Sequence, residues 1–547
     1  MTATAPTIPA ASRRVMNLAH WATQNARRLP EHIALVWGDA SWTWEQFDAR
    51  VSAFAAALAE RGVRPGDKVL VHSKNSNEMF ESMFATFRLG AVWVPTNFRI
   101  TPEEVVYMAR VSQSRTFLCQ TDFPEYAAAV CEALPDTDVV WLEGAKSWRD
   151  AEHPRVGDLI AACLGKTAPN APVEQDSPCW FLFTSGTTGK PKAAVLTHGQ
   201  LAFVVNNHLA DLLPGTTCED GSLVVAPLSH GAGVHQLNMV ARGAKTVLLP
   251  SDRFDIGQAY ELIEKHHLTN LFTVPTILKM MVEHPSVDEW DHFSLRYVVY
   301  AGAPMYEADK RRALKKLGPV LVQYYGLGEV TGNITVLPPG EHEGETAGAR
   351  GATCGYERTG MEVSIQDDDG NELPFGQTGE VCVIGPAVFV GYYNNPEANA
   401  KAFRDGWFRT GDMGHMNKDG FVFLTGRSSD MYISGGSNIY PREIEEKILL
   451  HDDITEVAVL GLPDAQWGEI GVAVCVRKEG SLLSEKELLD WMSTRIARYK
   501  LPKQVYFWAA LPRSGYGKVP KRMVKDELAR RGVAVELEEA VNRHATH

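Results

Sequence analysis

The chain has 547 residues, too many for one ordinary hydrophobic core, so two or more domains are expected. Hydrophobic residues make up 45% and charged residues 22%, the balance of a soluble globular protein. The formal net charge of -13 argues against a nucleic-acid protein, which carries a basic face, but leaves room for an anionic ligand in a local lysine pocket. The eight cysteines are scattered with no C-x-x-C pair, so neither a zinc site nor a redox motif is indicated. Reduced thiols fit a cytoplasmic protein. Residues 1–14 read as a loose leader without the apolar core of a secretory signal, and no apolar run reaches the length of a membrane span. Ala545-Thr546-His547 is not a peroxisomal address.

From about residue 41 the pattern alternates between helical and strand periods. Phe47 to Arg61 has helical spacing and stops at Gly62. Lys68 to His72 reads as a strand, Glu78 to Leu89 as a helix, and Ala91 to Pro95 as a second strand. The same rhythm returns between 222 and 300, with strand-like runs at 222–226, 246–250, 270–274 and 297–300 and helical runs at 256–266 and 276–283. Such alternation implies parallel βαβ units. The expected fold is α/β: a large N-terminal body, 1–426, of two related βαβ sheets, with a small β-rich subdomain near 345–425 where Gly, Asp and short alternating runs dominate. The polar break Gly426-Arg427-Ser428-Ser429-Asp430 marks a hinge at 427–430. Beyond it, 431–547 mixes strands at 457–460, 472–476 and 505–508 with helices at 442–449 and 485–498, the pattern of a small, mobile α+β domain.

Trp180-Phe181-Leu182-Phe183 reads as a buried strand, followed by Thr184-Ser185-Gly186-Thr187-Thr188-Gly189-Lys190-Pro191-Lys192. A strand that opens into such a loop offers free backbone N–H groups, hydroxyl donors and two positive charges, which suits a polyphosphate. It is not a Walker A loop: Gly186 and Gly189 are only three apart, and Pro191 stands where Ser or Thr should.

With the motifs that follow, the chain resembles the acyl-adenylate-forming superfamily of acyl-CoA synthetases, luciferases and peptide-synthetase adenylation domains, from about residue 20 to 530. The resemblance implies that ATP and a carboxylate give acyl-AMP and pyrophosphate, after which a thiol takes the acyl group and releases AMP. It implies ATP, Mg²⁺ and CoA as cofactor and co-substrates. The loop from Thr184 to Lys192 matches the family's phosphate loop, with Ala193 in place of the usual Gly. Tyr324-Tyr325-Gly326-Leu327-Gly328-Glu329 matches the Y-G-x-T-E motif. It implies that Tyr325 stacks on adenine, that Tyr324 also belongs to the ATP/AMP-binding set, and that Glu329 holds the metal. The motif's Thr is Gly328 here, which either enlarges the acyl side or leaves Thr331 to substitute. Gly302-Ala303-Pro304 resembles the adenine-edge segment, and Thr410-Gly411-Asp412 with Arg427 resembles the ribose-binding set.

His230, Val234 and Asn238, with Gly302, Gly326, Leu327 and Gly328, are the expected acyl pocket. Ser434-Gly435-Gly436, together with Tyr440, resembles the segment that meets CoA, and Lys518 the catalytic lysine of the terminal P-R-x-x-x-G-K motif, set here between the less usual Tyr516 and Pro520. Thr184 joins Lys518 and Glu329 as the expected catalytic set. The hinge position falls on Ser429, which is neutral where Asp or Lys is usual.

No Arg or Lys stands obviously in the acyl wall, which disfavours a dicarboxylate and leaves short-to-medium aliphatic, thioether and aromatic monocarboxylates open. Two other readings stay open: adenylation with transfer to a carrier protein in trans, and nucleotide binding without catalysis. The expected partners are small molecules only, with a homodimer left open.

Overall fold

Apolar runs buried on both faces form the most continuous strands: Val92–Pro95, within the expected run, and Thr116–Gln120, which was not among those expected, are buried at every position. The computed structural model describes residues 13–144, 153–185, 190–250, 254–303, 305, 307–342, 353–434, 437–464, 466–513 and 519–533. Among these residues the strands form three sheets. A 6-stranded sheet runs Asp138–Leu142, Thr116–Gln120, Lys68–His72, Val92–Pro95, Pro178–Ser185 and Pro191–Thr197, parallel except for the last pair. A 14-stranded sheet has a parallel section in the order Leu321–Tyr325, Tyr297–Tyr300, Asn270–Thr273, Gly221–Val224, Lys245–Leu248 and Ile33–Trp37. A 5-stranded sheet holds the strands from Tyr432–Ser434 to Gln504–Trp508.

The β-rich stretch is not a separate sheet. Thr335–Leu337 pairs antiparallel with Leu321–Tyr325, and Thr353–Glu357, Phe421–Arg427 and Trp407–Met416 continue outward from it. Gly355 makes this join possible. Its φ is +99°, the ladder shifts register there, and a Cβ would stand 2.0 Å from the Val336 carbonyl oxygen.

The helices start and stop for local reasons. Trp44–Glu60 and Pro102–Ser112 each begin with a reciprocal capping box, Thr43 with Gln46 and Thr101 with Glu104. The helix expected over 485–498 ends at Ser493. The Ser493 and Thr494 hydroxyls donate back to the carbonyls of Asp490 and Trp491, competing with continuation of the helix. None of the eight cysteines is in a disulfide, and no helix among the described residues is long and apolar enough to cross a membrane.

Burial lowers the pKa of His72 to about 3 and those of His198, His235 and His342 to about 4. An unfolded histidine binds its proton near 6.5, so between pH 6.5 and 4 the unfolded chain holds more protons and stability falls as pH falls. Glu78 opposes this: burial raises it to about 7 from 4.5, so acid favours its folded form across that window. The histidines lowered by burial, His208 among them, outnumber the carboxylates raised by it, Glu78 and Glu81. The urea midpoint should drop steeply from pH 6.5 to 4, and more steeply in Glu78→Gln. A flat midpoint across that range would refute the assignment.

Candidate active site

Four adjacent parallel strands, Leu321–Tyr325, Tyr297–Tyr300, Asn270–Thr273 and Gly221–Val224, end on one side of the large sheet. Ligands of open α/β sheets settle beyond the carboxyl ends of such strands. The segments singled out in the sequence leave these ends: Gly326–Glu329 from the first, Gly302 and Ala303 from the second, and His230, at the head of helix Gly231–Arg242, beyond the last.

The lysine-bearing loop joins the antiparallel strands Pro178–Ser185 and Pro191–Thr197. Pro191 enters a strand and not a helix, as the departure from Walker A implies. Gly186, Thr187, Thr188 and Gly189 lie outside the described residues, as does the Ser185 side chain. Thr184, at the base of the hairpin, donates its hydroxyl to Glu329 Oε1 at 2.7 Å. The Tyr392 hydroxyl donates to the same oxygen at 2.8 Å. Lys192, in register with Thr184, holds its ammonium 4.1 Å from the Tyr392 ring centre. Burial lowers the Lys192 pKa, and the Glu329 charge pulls it back up. Lys190 diverges: it is exposed, with its ammonium 5.8 Å from the Tyr107 ring.

Tyr392 carries no motif and was not singled out in the sequence. Its backbone is clamped by Asn399, whose side chain accepts from the Tyr392 N–H at 2.7 Å and donates to its carbonyl at 3.1 Å. The segment also lies along the hairpin, with Val195 N–H bonded to the Gly391 carbonyl and Tyr393 N–H to the Ala193 carbonyl.

Asp412 sits opposite Arg427 on neighbouring strands. Its Oδ1 pairs with the Arg427 guanidinium at 2.6 Å, and its Oδ2 accepts from the Tyr325 hydroxyl at 2.6 Å. Burial and the Asp412 charge hold the Tyr325 phenol well above its ordinary range. Thr410 buttresses the turn: its hydroxyl accepts from the Asp412 N–H and donates to the Val381 carbonyl. Three expected nucleotide residues therefore stand together. Tyr324 does not join them. Alternation along the strand sends it to the opposite face, where its ring stacks on Phe272 at 5.9 Å and 17°.

The glycines of the acyl side differ in kind. Gly302 has φ +81° and open space: the nearest atom to a Cβ there would be Val274 Cγ1 at 3.9 Å. At Gly326 a Cβ would stand 2.5 Å from Gly332 Cα, so that glycine serves a backbone crossing. At Gly328 it would stand 2.6 Å from Leu182 Cδ2 and 3.0 Å from Thr184 Cγ2. The space left by the missing threonine is filled by Leu182, and Gly328 does not enlarge the acyl side. Thr331 spends its hydroxyl on the Val330 carbonyl, 2.7 Å away, rather than standing in for it. Leu327 is half-buried; Val234 and Asn238 are buried on helix Gly231–Arg242. Asn238 Nδ2 donates to the His235 carbonyl. His230 Nδ1 is 2.8 Å from the Ser229 hydroxyl.

Of the C-terminal residues, Ser434 ends a strand that pairs with Gly468, and Tyr440 precedes helix Pro441–Ile448. Ser429 is exposed in the short turn Ser428–Asp430. Gly435, Gly436, Pro304 and Lys518 lie outside the described residues. Lys521 pairs with Glu445, and burial lowers its pKa to about 7.

A family model described as AMP-binding enzyme matches residues 22–393, and one described as AMP-binding enzyme C-terminal domain matches 443–518. A feruloyl-CoA synthase of Amycolatopsis sp is 36% identical over 514 residues, covering 94% of this chain and 99% of the relative. An indoleacetate–CoA ligase of Aromatoleum aromaticum is 35% identical over 521 residues, with the same coverage of 94% and 99%. The structure of the o-succinylbenzoate CoA synthetase of Bacillus subtilis, in complex with its acyl-adenylate intermediate, superposes with a TM-score of 0.81 at 29% identity, covering 93% of this chain and 98% of that one.

Two hydroxyls on one buried carboxylate oxygen make a coupled unit. Thr184→Val and Tyr392→Phe should each cost about 1.5–3 kcal/mol, the worth of a hydrogen bond to a charged group. Because both donate to Glu329 Oε1, the costs should not add. A double-mutant cycle by urea denaturation should show a coupling of at least about 0.5 kcal/mol. Strict additivity would mean the shared contact is absent in solution.

Proposed function

The chain belongs to the family of AMP-binding enzymes, and from that membership we propose how its residues divide the work of an AMP-forming acid–thiol ligase and which acid it takes. The overall reaction joins a carboxylic acid to CoA with ATP cleaved to AMP and pyrophosphate. One observation carries the assignment of roles: Glu329, Thr184, Tyr392 and Lys192 form one hydrogen-bonded and charged cluster where the hairpin meets the strand ends.

An incoming carboxylate and a triphosphate repel each other, so positive charge and oriented donors must face both. Lys192 and the hydroxyls and N–H groups of the hairpin supply that at the phosphates. Glu329 suits a magnesium ion: it is a hard oxygen donor, 5% exposed, and both described hydroxyl donors occupy Oε1, leaving Oε2 for a ligand. Such an ion would screen the phosphate charge. Asp412, braced by Arg427, accepts from the ribose diol, since a carboxylate is the natural acceptor for two hydroxyls. Tyr325, tethered to Asp412, presents its ring to the base. Lys518 brings a cation to the reacting carboxylate and α-phosphate, carried by a C-terminal domain (431–547) that swings about Ser429 from the 1–426 body. Ser434, Gly435, Gly436 and Tyr440 then line the path of the CoA thiol.

The acid is an aromatic or compact monocarboxylate. Phe272 and Tyr324 supply stacked apolar faces beside the His230 turn, and two of the relatives are named for aromatic acids. Eight cysteines outside any disulfide support a cytoplasmic setting.

Pyrophosphate and AMP release should be measured with aromatic and aliphatic acids, with and without CoA. An acid-dependent burst of pyrophosphate without CoA, and turnover to AMP with it, is expected. ADP as product would sink the reading; turnover only with a carrier protein would favour the carrier alternative. Lys518→Ala should abolish acyl-adenylate formation while sparing thioester formation from supplied acyl adenylate, and equal loss of both half-reactions would remove Lys518 from its role. Asp412→Ala should weaken ATP and AMP binding by about 1.5–3 kcal/mol, since a charged acceptor is lost. Calorimetry on the folded variant would decide: unchanged affinity would rule out the ribose contact.

A further inference from the structure

We propose that His32, Cys218 and Glu219 form a binding site for a zinc-class divalent cation, at the opposite end of the large sheet from the active site. It stands independently of the ligase reading. The three side chains meet where two turns come together. His32 Nε2 is 3.6 Å from Glu219 Oε1, and Cys218 Sγ is 3.6 Å from the same oxygen. All three ligand atoms lie within 4.8 Å of one another. The His32–Glu219 separation is too long for a hydrogen bond. It matches the spacing of neighbouring ligands around one tetrahedral zinc, about 3.4–3.6 Å when the metal–ligand bonds are about 2.0–2.3 Å long.

The donor set decides the class of cation. A thiolate, an imidazole and a carboxylate are the three ligand types of zinc sites. Thiolate and imidazole select against magnesium and calcium, which take oxygen donors. The thiolate and the carboxylate carry two negative charges and balance a dication. Lys245 lies within electrostatic reach of Glu219, so the carboxylate alone would be a poor trap, and the thiolate supplies the charge that is needed. Water completes the fourth position.

The turns hold their ligands in place. The His32 N–H donates to the Leu29 carbonyl at 3.2 Å, and the His32 carbonyl accepts from the Trp44 N–H at 2.9 Å. In the other turn, Asp220 Oδ2 accepts from the Thr217 N–H at 2.7 Å, Asp220 Oδ1 pairs with Arg296, and the Glu219 N–H donates to the Thr217 hydroxyl at 3.3 Å. Arg242 ties the two turns together. Its carbonyl accepts from Arg28 Nη2 at 3.2 Å, and its Nε donates to the Thr216 carbonyl at 2.8 Å. Ligands on backbone fixed in this way lose little freedom on binding.

The location sets the role. His32 precedes strand Ile33–Trp37 and Glu219 precedes Gly221–Val224, and both strands run parallel to Lys245–Leu248 between them. Both ligands therefore stand at the amino ends of the strands, away from the carboxyl ends where the active site lies. A cation here touches no reacting group. It clips the turn after helix His20–Arg28 to the start of Gly221–Val224, and it stabilises the body.

The test strips the whole protein of metal with a chelator and titrates it with Co²⁺ and Zn²⁺. Wild type should bind Co²⁺ with a thiolate-to-cobalt charge-transfer band that Zn²⁺ bleaches and Mg²⁺ does not. Zn²⁺ should also raise the thermal midpoint of unfolding. Cys218→Ser should lose the band and the Zn²⁺-dependent rise. His32→Ala and Glu219→Gln should each weaken Co²⁺ binding at least about tenfold. Cys218→Ala takes the place of the serine variant if that one does not fold. A wild type without the band, a band that survives loss of the Cys218 thiol, or Co²⁺ affinity unchanged in both His32→Ala and Glu219→Gln would overturn the site.

Discussion

Oε1 of Glu329 accepts two hydroxyl hydrogens, one from the hairpin of the 6-stranded sheet and one from a loop that connects neighbouring strands of the 14-stranded sheet. A carboxylate that is 5% exposed tolerates burial only when such donors satisfy it. The requirement therefore works as a geometric clamp. Thr184 fixes the base of the lysine-bearing hairpin, Tyr392 fixes the segment Gly391–Tyr393 along that hairpin, and Glu329 itself belongs to the turn that leaves Leu321–Tyr325. The Phe389 N–H closes the frame by donating to the Glu329 carbonyl at 2.8 Å. Three chain segments far apart in sequence meet at one oxygen, and the position of Lys192 over Tyr392 follows from it.

The second constraint is the continuity of the large sheet. Its parallel section places the strand ends side by side, and its antiparallel section brings Asp412 and Arg427 round to face Tyr325. Gly355 permits the bend between the pairs, because only a residue without Cβ fits against the Val336 carbonyl at positive φ. Tyr325 and Tyr324 then fall on opposite faces of one strand, Tyr325 toward Asp412 and Tyr324 toward Phe272.

How far this was legible in the sequence differs by residue. Lys68–His72, Tyr297–Tyr300 and Ile256–His266 coincide with their apolar periods because local pattern and burial agree there. The Glu329 turn and the Asp412 turn are readable because each packs its residue types into a short run. Tyr392 and Arg358 are not: each works through a partner more than sixty residues away, and neither sits in a distinctive local pattern. The joining of the β-rich stretch to the parallel strands was likewise hidden, since strand pairing is a long-range property that periodicity does not report. Tyr324 and Tyr325 are neighbours in the motif, but the strand turns them to opposite faces, which a motif does not report.

Gly328 shows why pocket shape in particular resists reading from single side chains. Replacing a threonine by glycine removes volume on paper, yet Leu182 stands 2.6 Å from where the Cβ would be. Interiors fill to near crystal density, so an absent side chain is a vacancy only where its neighbours cannot reach it. Leu182 reaches because it rides on the same hairpin strand that Glu329 pins through Thr184. Gly302 is the counter-example: beyond its chain neighbours, no atom of the described residues would come closer than 3.9 Å to a Cβ there. Whether a glycine leaves space on this scaffold thus depends on what the carboxylate clamp brings beside it, rather than on the glycine alone.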